Sequence, residues 1–557
     1  MPKRLLLIVL LALSKPLLAG EIYLDAPDEI EKLLTPFLPD EAGTPSKLRD
    51  MLDEMLATEG YFSPNIEFSD RDDGLNLKID PGPRTLITGV NVTVDGKIEQ
   101  KKRDALIADW HLPVGKPFRQ ADWNQAKQQL LGQLLAEEHA AARLLDSEAA
   151  IDPAQRSAQL TAHYDAGPAY RFGALQIEGL RSYSPELVER YNQHVRPGQP
   201  YREDELNGLV AALQSSPYFS SVQATLDKDA APDEDGIVTA PVRIRVNERT
   251  PHRMAFGAGF SSNTGARVEF NYHTPNFLSQ AWELNSGLRL EQKQQTIYAD
   301  VFLPPSEKDR RNSVGAMVEN NDIQGLKTAR YAFGAQTVQQ RGSIEQRLSI
   351  NWQHEVLQPD GGEETTSRAL VPNVMWTWRK VDNLLDPHDG IVLQLQVGGG
   401  TKAVLSDQNF VRFQSRWQQF VPLGRVDTLT LRGEIGYTLA ENRDHIPQDY
   451  LFRTGGTGTV RGYAYQSLGV QENAAIVGGR YLAIVSGEVT HWLNESWGIA
   501  GFIDAGDAVD DLKDARLAVG YGLGTRWRSP AGPVGADIAY GQRTGDLHLH
   551  FSLAIPF

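Results

Sequence analysis

Leu547-His548-Leu549-His550-Phe551-Ser552-Leu553-Ala554-Ile555-Pro556-Phe557 is the stretch that decides the fold. Alternation puts Leu547, Leu549, Phe551, Leu553, Ile555 and Phe557 on one face of a strand, with His548 and His550 on the other. A tilted strand of about 11 residues is long enough to cross a bilayer. In water such a strand would leave an aromatic, aggregation-prone edge, whereas a barrel pairs that edge with its first strand. The stretch therefore predicts the closing strand of a transmembrane barrel.

Working outward, the same two-faced pattern recurs. Ala266, Val268, Phe270 and Tyr272 alternate with Arg267, Glu269 and Asn271. Trp282, Leu284, Leu288 and Leu290 oppose Glu283, Asn285, Arg289 and Glu291, and Leu429, Leu431, Ile435 and Tyr437 oppose Thr430, Arg432 and Glu434. A soluble sandwich also alternates. Here, however, one face carries repeated full charges and the other large aliphatics and aromatics, as lipid outside and a wet lumen inside demand. About 305 residues at roughly 19 per strand and connection give near 16 antiparallel strands, an even count as in single-chain bacterial barrels.

Before Arg249 the pattern is mixed and it repeats. Asp80-Pro81-Gly82-Pro83 leads into Thr88–Gly96, and Asp165-Ala166-Gly167-Pro168 leads into Phe172–Gly179; each turn is followed by an alternating strand. Glu59-Gly60-Tyr61-Phe62-Ser63 returns as Ser216-Pro217-Tyr218-Phe219-Ser220, while the middle unit has Glu138-His139-Ala140-Ala141-Ala142-Arg143 in that place. Leu206, Leu209 and Leu213 mark a helical face, and Val242, Ile244 and Val246 a closing strand. Each unit reads as strand, two helices, two strands. The expected organisation is a leader at 1–20, α+β modules at 21–83, 84–168 and 169–249, and an all-β barrel at 250–557. A repeated unit of this kind suits an arm that presents similar surfaces to an extended partner.

Lys3 and Arg4 followed by the apolar run Leu5–Leu13 and the small residues Ala19 and Gly20 read as a secretory signal peptide. The run is about half of the roughly 20 residues that a spanning helix needs, so a membrane anchor is the poorer reading. The 557 residues carry 55 Lys+Arg against 71 Asp+Glu, a net charge of −16 that argues against nucleic acid as a partner. Cysteine is absent, which removes thiolate chemistry and disulfides.

Arg453-Thr454-Gly455-Gly456-Thr457-Gly458-Thr459-Val460-Arg461-Gly462-Tyr463 is too rich in Gly and Thr for an ordinary strand. It resembles the Val-Arg-Gly-Tyr/Phe hairpin of the POTRA-plus-barrel superfamily of outer-membrane assembly factors and secretion transporters. Phe502-Ile503-Asp504-Ala505-Gly506 matches that superfamily's Phe-x-Asp-x-Gly strand, and Gly520–Trp527 with Ser529–Pro533 is similar to its penultimate strands. The resemblance implies a loop folded into the lumen and held there by Val460, Arg461, Gly462 and Tyr463 against Phe502, Asp504 and Gly506. Arg461 is expected to form a two-pronged contact with Asp504, with Gly462 turning the chain at positive φ. The alternative is that Arg461 is one more lumen charge facing water.

Three modules before the barrel are similar to the TamA family. That resemblance implies an outer-membrane protein that inserts or translocates autotransporters and other client proteins. It also implies a TamB-like inner-membrane-anchored partner bound through the arm, contact with outer-membrane lipid, and no cofactor. It further implies a weak seam between the first strand, with Phe256, Gly257 and Gly259, and the last, with Phe551, Leu553, Pro556 and Phe557. Glycine makes the first strand deformable, and proline cannot donate a ladder bond. The alternative within the superfamily is a two-partner secretion transporter exporting a dedicated passenger. A barrel hydrolase is the remote alternative: Gly259-Phe260-Ser261-Ser262-Asn263 fails as a nucleophile elbow, and no zinc-helix or phosphate-loop motif occurs. His548 and His550 have a spacing that would allow a metal but read better as lumen histidines. No catalytic, cofactor or metal site is expected.

Overall fold

A computed structural model describes residues 21–39, 45–71, 74–306, 310–424, 426–529 and 532–553. The expected leader, Ile555, Pro556 and Phe557 lie outside them. The chain forms two compact units. One holds Met1–Glu178, His194–Ala211 and Gln223–Arg245, and the other Gly179–Gln193, Ala212–Val222 and Val246–Phe557.

The arm repeats one pattern three times. Glu21–Asp25 is followed by helices Asp28–Leu34 and Pro45–Thr58 and by strands Asn65–Arg71 and Gly74–Asp80. The last strand of this set lies centrally, parallel to the first and antiparallel to the second. Leucines 48, 52 and 56 fall on one helical face by their spacing of four, and all three are buried against Ile66, Leu77 and Ile79. The same order and pairing recur with Leu86–Asp95, helices Gln100–Ala108 and Gln120–Ala136, and strands Arg143–Asp152 and Ser157–Asp165. They recur again with Ala169–Glu178, helices Pro185–Tyr191 and Glu203–Ser215, and strands Phe219–Leu226 and Ile237–Glu248. In both repeated turns an aspartate carboxylate accepts from the glycine amide two residues on, Asp80 from Gly82 at 3.0 Å and Asp165 from Gly167 at 2.9 Å. Each glycine has φ of 66°.

The recurring Tyr-Phe element closes each module where it occurs: Tyr61 and Tyr218 are both buried. In the middle module Ala140 and Ala142 take that place, also buried. Small residues fit there because neighbouring chain approaches closely, with Tyr170 N donating to Glu138 O at 2.6 Å and the Lys228 ammonium to Ala140 O.

From Arg253 the helical period gives way to one 16-stranded antiparallel sheet, rolled into a nearly closed barrel. Its strands are β1 (Arg253–Ser261), β2 (Gly265–Phe277), β3 (Trp282–Glu291), β4 (Gln294–Phe302), β5 (Arg310–Ile323), β6 (Leu326–Arg341), β7 (Ile344–Pro359) and β8 (Thr365–Val381). They continue as β9 (Gly390–Gly400), β10 (Phe410–Leu423), β11 (Asp427–Ala440), β12 (Tyr481–Trp492), β13 (Trp497–Val509), β14 (Ala518–Ser529), β15 (Gly532–Gly541) and β16 (Asp546–Leu553). The count and the strand character agree with the sequence. Alternation does what the lipid and lumen contrast requires: Leu547, Leu549 and Phe551 are 70%, 63% and 56% exposed on the outer face, while His550 between them is buried. No helix among the described residues is long and apolar enough to cross a membrane. The hydrogen-bonding order begins with β1 and ends with β16, so these are the two end strands.

Candidate functional site: the lumen loop and the end strands

Between β11 and β12 the chain runs for residues 441–480 before it rejoins the wall. Val460 and Tyr463, with Phe452 and Leu468, pack in one buried cluster with Leu482 and Ile484 of β12, Ala508 of β13 and Ala518 of β14. Those are inward positions, so the loop lies inside the barrel. Backbone bonds between Thr454 and Leu468, 2.8 and 2.9 Å, close it into a hairpin whose tip is Thr457. Farther back, Gln448 N donates to the buried Glu355 carboxylate at 2.9 Å, and Arg330 pairs with Asp449 and with Glu319.

Arg461 is 2% exposed and Asp504 0%. The guanidinium grips the carboxylate with both prongs, Nε to Oδ2 at 2.7 Å and Nη2 to Oδ1 at 2.9 Å, and the Arg461 amide adds a third bond at 3.1 Å. Its plane lies over the Phe502 ring, with Cζ 3.4 Å from the centroid. Gly462 has φ of 89°, and a Cβ there would sit 2.7 Å from Tyr540 backbone. Tyr463 donates its hydroxyl to Val519 O at 2.9 Å. Val460 stands beside Gly506, whose missing side chain leaves it room: a Cβ there would meet Val460 Cγ2 at 3.0 Å.

The arrangement exceeds the expected pair. Arg461 Nη1 also reaches Glu488 at 2.6 Å and Asp537 at 3.2 Å, and Arg526 binds the same two carboxylates, Glu488 at 2.7 and 2.9 Å and Asp537 at 2.6 Å. Ser486 Oγ donates to Asp504 at 2.6 Å and accepts from Arg432 at 2.9 Å. Three arginines and three carboxylates thus form a charge-balanced network drawn from β11, β12, β13, β14, β15 and the loop. Buried ion networks add little net stability, but removing one member strands its partners in a poorly solvated place, so they fix a single arrangement. The loop backbone comes so close to the wall that a Cβ on Gly520 would lie 1.7 Å from Arg461 O.

At the hairpin tip, Thr457 Oγ1 lies 3.2 Å from His550 Nδ1 on β16 and 3.4 Å from both Ser262 Oγ and Asn263 Oδ1, in the turn between β1 and β2. Gly462 N donates to His550 Nε2 at 3.0 Å. Both ring nitrogens of His550 are therefore engaged by the loop, which leaves neither for a metal. Groups of three or more metal-ligating side chains are absent among the described residues.

On the expected seam, Phe256 is 80% exposed and packs against Phe270 of β2, ring centroids 5.0 Å apart. Gly257 and Gly259 face the lumen opposite Glu269 and Arg267, and a Cβ at either would meet only ordinary contacts at 3.7 Å. Nothing in the packing demands glycine there; the consequence is an end strand with a bare inner face. Leu553 ends β16 in pairing with Val534.

Sequence reasoning missed Glu488, Arg526, Asp537, Ser486, Arg432, Thr457 and Gly520. It weighed His550 as half of a metal pair and, in preference, as a lumen histidine, but not as a contact of the loop. The Gly-rich run at 520–524 was the available signal for close backbone approach.

A model of the Omp85 superfamily domain matches residues 250–557, and one described as POTRA, surface antigen variable number repeat, matches residues 170–249. Among solved structures, BamA from Haemophilus ducreyi lacking POTRA domains 1–3 is 15% identical, with a TM-score of 0.72 over 83% of this chain and 99% of that one. CdiB from Acinetobacter baumannii is 12% identical with a TM-score of 0.44, covering 94% and 97%. CdiB from Escherichia coli is 13% identical with a TM-score of 0.43, covering 91% and 96%. Since the first of these models takes in more than half of the sequence, the protein belongs to the Omp85 superfamily, with its barrel in the outer membrane and its POTRA region in the periplasm.

Proposed function

We propose that this outer-membrane protein is an insertion and assembly factor of the TamA type, without enzymatic activity. It would receive autotransporters and other outer-membrane clients at a seam between β1 and β16. A TamB-like inner-membrane-anchored protein would dock on an arm of three POTRA modules, 21–83, 84–168 and 169–249. The observation that carries the reading is the arm: three sheets of one strand order stand ahead of a single 16-stranded barrel. The first of them has its own buried core of Leu34, Leu52, Leu56 and Leu77, all at 0% exposure, which speaks against a linker and so against the two-module secretion transporter.

In this reading the seam offers unpaired backbone groups to an incoming strand, as any sheet edge does. The lumen loop is the lock: Val460, Arg461, Gly462 and Tyr463 hold against Phe502, Asp504 and Gly506, and its tip reaches β16 and the turn that follows β1. Affinity capture with the full-length protein, from detergent extracts of both membranes, tests the assignment. Recovery of a large, inner-membrane-anchored, β-rich protein is expected. Recovery of a single secreted passenger in its place would make the chain a secretion transporter.

A further inference from the structure

The outer wall is not uniformly covered. On β4, β5 and β6 three outward positions are alanines: Ala299 lies opposite Ala316, and Ala335 lies opposite Val314 two pairs farther along. They floor an apolar groove of about 550 Å³. That is within the roughly 300–1,000 Å³ of small-molecule sites. Phe333 and Trp352, ring centroids 5.0 Å apart, form the wall on the β6 and β7 side. On the opposite flank of the barrel the outward positions of β13 and β14 include the bulky Ile499, Ile503 and Leu523.

Beyond the groove's lining, the same outward face turns polar toward one rim of the barrel. Register carries the outward face of β5 from Val314 through Asn312 to Arg310, and Arg310 lies opposite Gln339 of β6. Arg341, on the same face, donates from Nη2 to Gln339 Oε1 at 3.1 Å. Arg310 is four residues from Val314, roughly 13 Å along the strand. The two guanidinium groups stand where β5 starts and β6 ends, the periplasmic edge of the barrel.

We propose that this wall holds one glycerophospholipid, an acyl chain lying in the alanine-floored groove and the phosphate paired with Arg310 and Arg341. The inference rests on the barrel's place in the outer membrane, not on the identity of its clients. Apolar surfaces gain nothing from each other by the hydrophobic effect when both are bathed in hydrocarbon, so occupancy is decided by packing and by polar contacts. A flexible chain conforms to a groove that would otherwise forfeit dispersion contacts along its floor. Arginine recognises phosphate with a two-pronged, charge-assisted contact. A second copy of this chain seated groove to groove about a twofold axis would set its own Arg310 and Arg341 against these, like charge facing like charge, which disfavours a copy of this chain as the occupant.

Native mass spectrometry of the full-length protein in mild detergent tests this. The probes are palmitoyl-oleoyl phosphatidylglycerol and the matching diacylglycerol, which lacks the phosphate. We expect one phosphatidylglycerol to survive the collisional activation that strips other lipid, and diacylglycerol to be retained at least fivefold less. Ala316→Trp, which fills the floor, should lower phosphatidylglycerol retention at least fivefold. Leu523→Trp, on the opposite flank, should leave it unchanged. Arg310→Gln, at an exposed rim, should lower phosphatidylglycerol retention toward that of diacylglycerol, and it decides the matter if the tryptophan variant fails to fold. Equal retention by wild type, Ala316→Trp and Arg310→Gln overturns the proposal, as does equal loss in Leu523→Trp or a dimer mass in place of the lipid adduct.

Discussion

The backbone amide of Gly462 points its proton at Nε2 of His550, 3.0 Å away, and that bond assigns the tautomer of a histidine 88 residues distant in sequence. With Nε2 accepting, Nδ1 carries the ring proton and donates to Thr457 Oγ1, which leaves the threonine hydroxyl free to donate to Asn263 Oδ1. A single loop residue therefore links the last strand to the turn after the first. Thr457→Val and His550→Phe should each loosen the tip, raising protease cleavage within 455–460 several-fold without unfolding the barrel. Unchanged cleavage in both variants would remove the tip from any role in holding the end strands.

The ion network predicts unequal single effects and a non-additive pair. Arg461→Ala leaves Asp504, Glu488 and Asp537 sharing Arg526 and Arg432, a loss of about 3–5 kcal/mol by the usual cost of breaking a buried pair. Asp504→Ala leaves Arg461 two other carboxylates and should cost less. The double variant should fall short of the sum by more than about 0.5 kcal/mol. Arg461→Lys should not rescue, because an ammonium cannot span both oxygens of Asp504 while also reaching Glu488. Denaturant titration followed by heat-dependent gel mobility reads all four; strict additivity would show that the two residues act apart.

Because the protein lacks cysteine, a disulfide between Phe256→Cys and Leu553→Cys would be the sole cross-link. It should abolish client insertion into liposomes and reductant should restore it, with barrel mobility on gels unaltered throughout. Full insertion by completely cross-linked protein would refute the seam.

Gly520→Ala tests the close approach of the loop backbone. Its Cβ would lie 1.7 Å from Arg461 O, so loop or strand must shift. The expected cost exceeds the roughly 1–3 kcal/mol of ordinary overpacking. The loop should become protease-sensitive before the barrel loses its folded mobility. Gly257→Ala, where a Cβ meets contacts of 3.7 Å, should be close to neutral and serves as the control.

In the arm, burial pulls the His139 imidazole below its ordinary value of 6.5. The folded state then binds fewer protons than the unfolded state once pH falls below about 6.5, so this contribution to stability is present at neutral pH and declines on acidification. Amide exchange across residues 138–170 should speed up between pH 7.5 and 5.5 beyond the intrinsic change, and His139→Gln should flatten that dependence. An identical pH dependence in the variant would assign the effect elsewhere.

The barrel was readable because lipid on one side and water on the other impose a period of two on its strands, and the order of apolar and polar residues reveals it. Arg461 and Asp504 were readable because their neighbours form recognisable short motifs. Glu488, Arg526 and Asp537 were not, since each is simply an inward charge on an alternating strand. Which inward charges meet depends on register and stagger, such as the pairing of Ser486 with Asp504, and those are properties of the closed sheet. Thr457 and His550 were hidden for a similar reason, because their contact exists only once the loop has folded back. In the middle module, alanine in place of the aromatic element weakened the repeat signal, though the strand order is the same.

The charged network binds β11 through β15 to one another and to the loop, and Gly462 extends that grip to β16. Among the described residues, the loop's polar contacts with the β1–β2 hairpin are those of Thr457 alone. The cylinder thus has a stiff jamb and a light leaf. A parting of the end strands would swing the first hairpin outward while β16 stayed put, so the newcomer would meet a moving template on one side and a fixed one on the other.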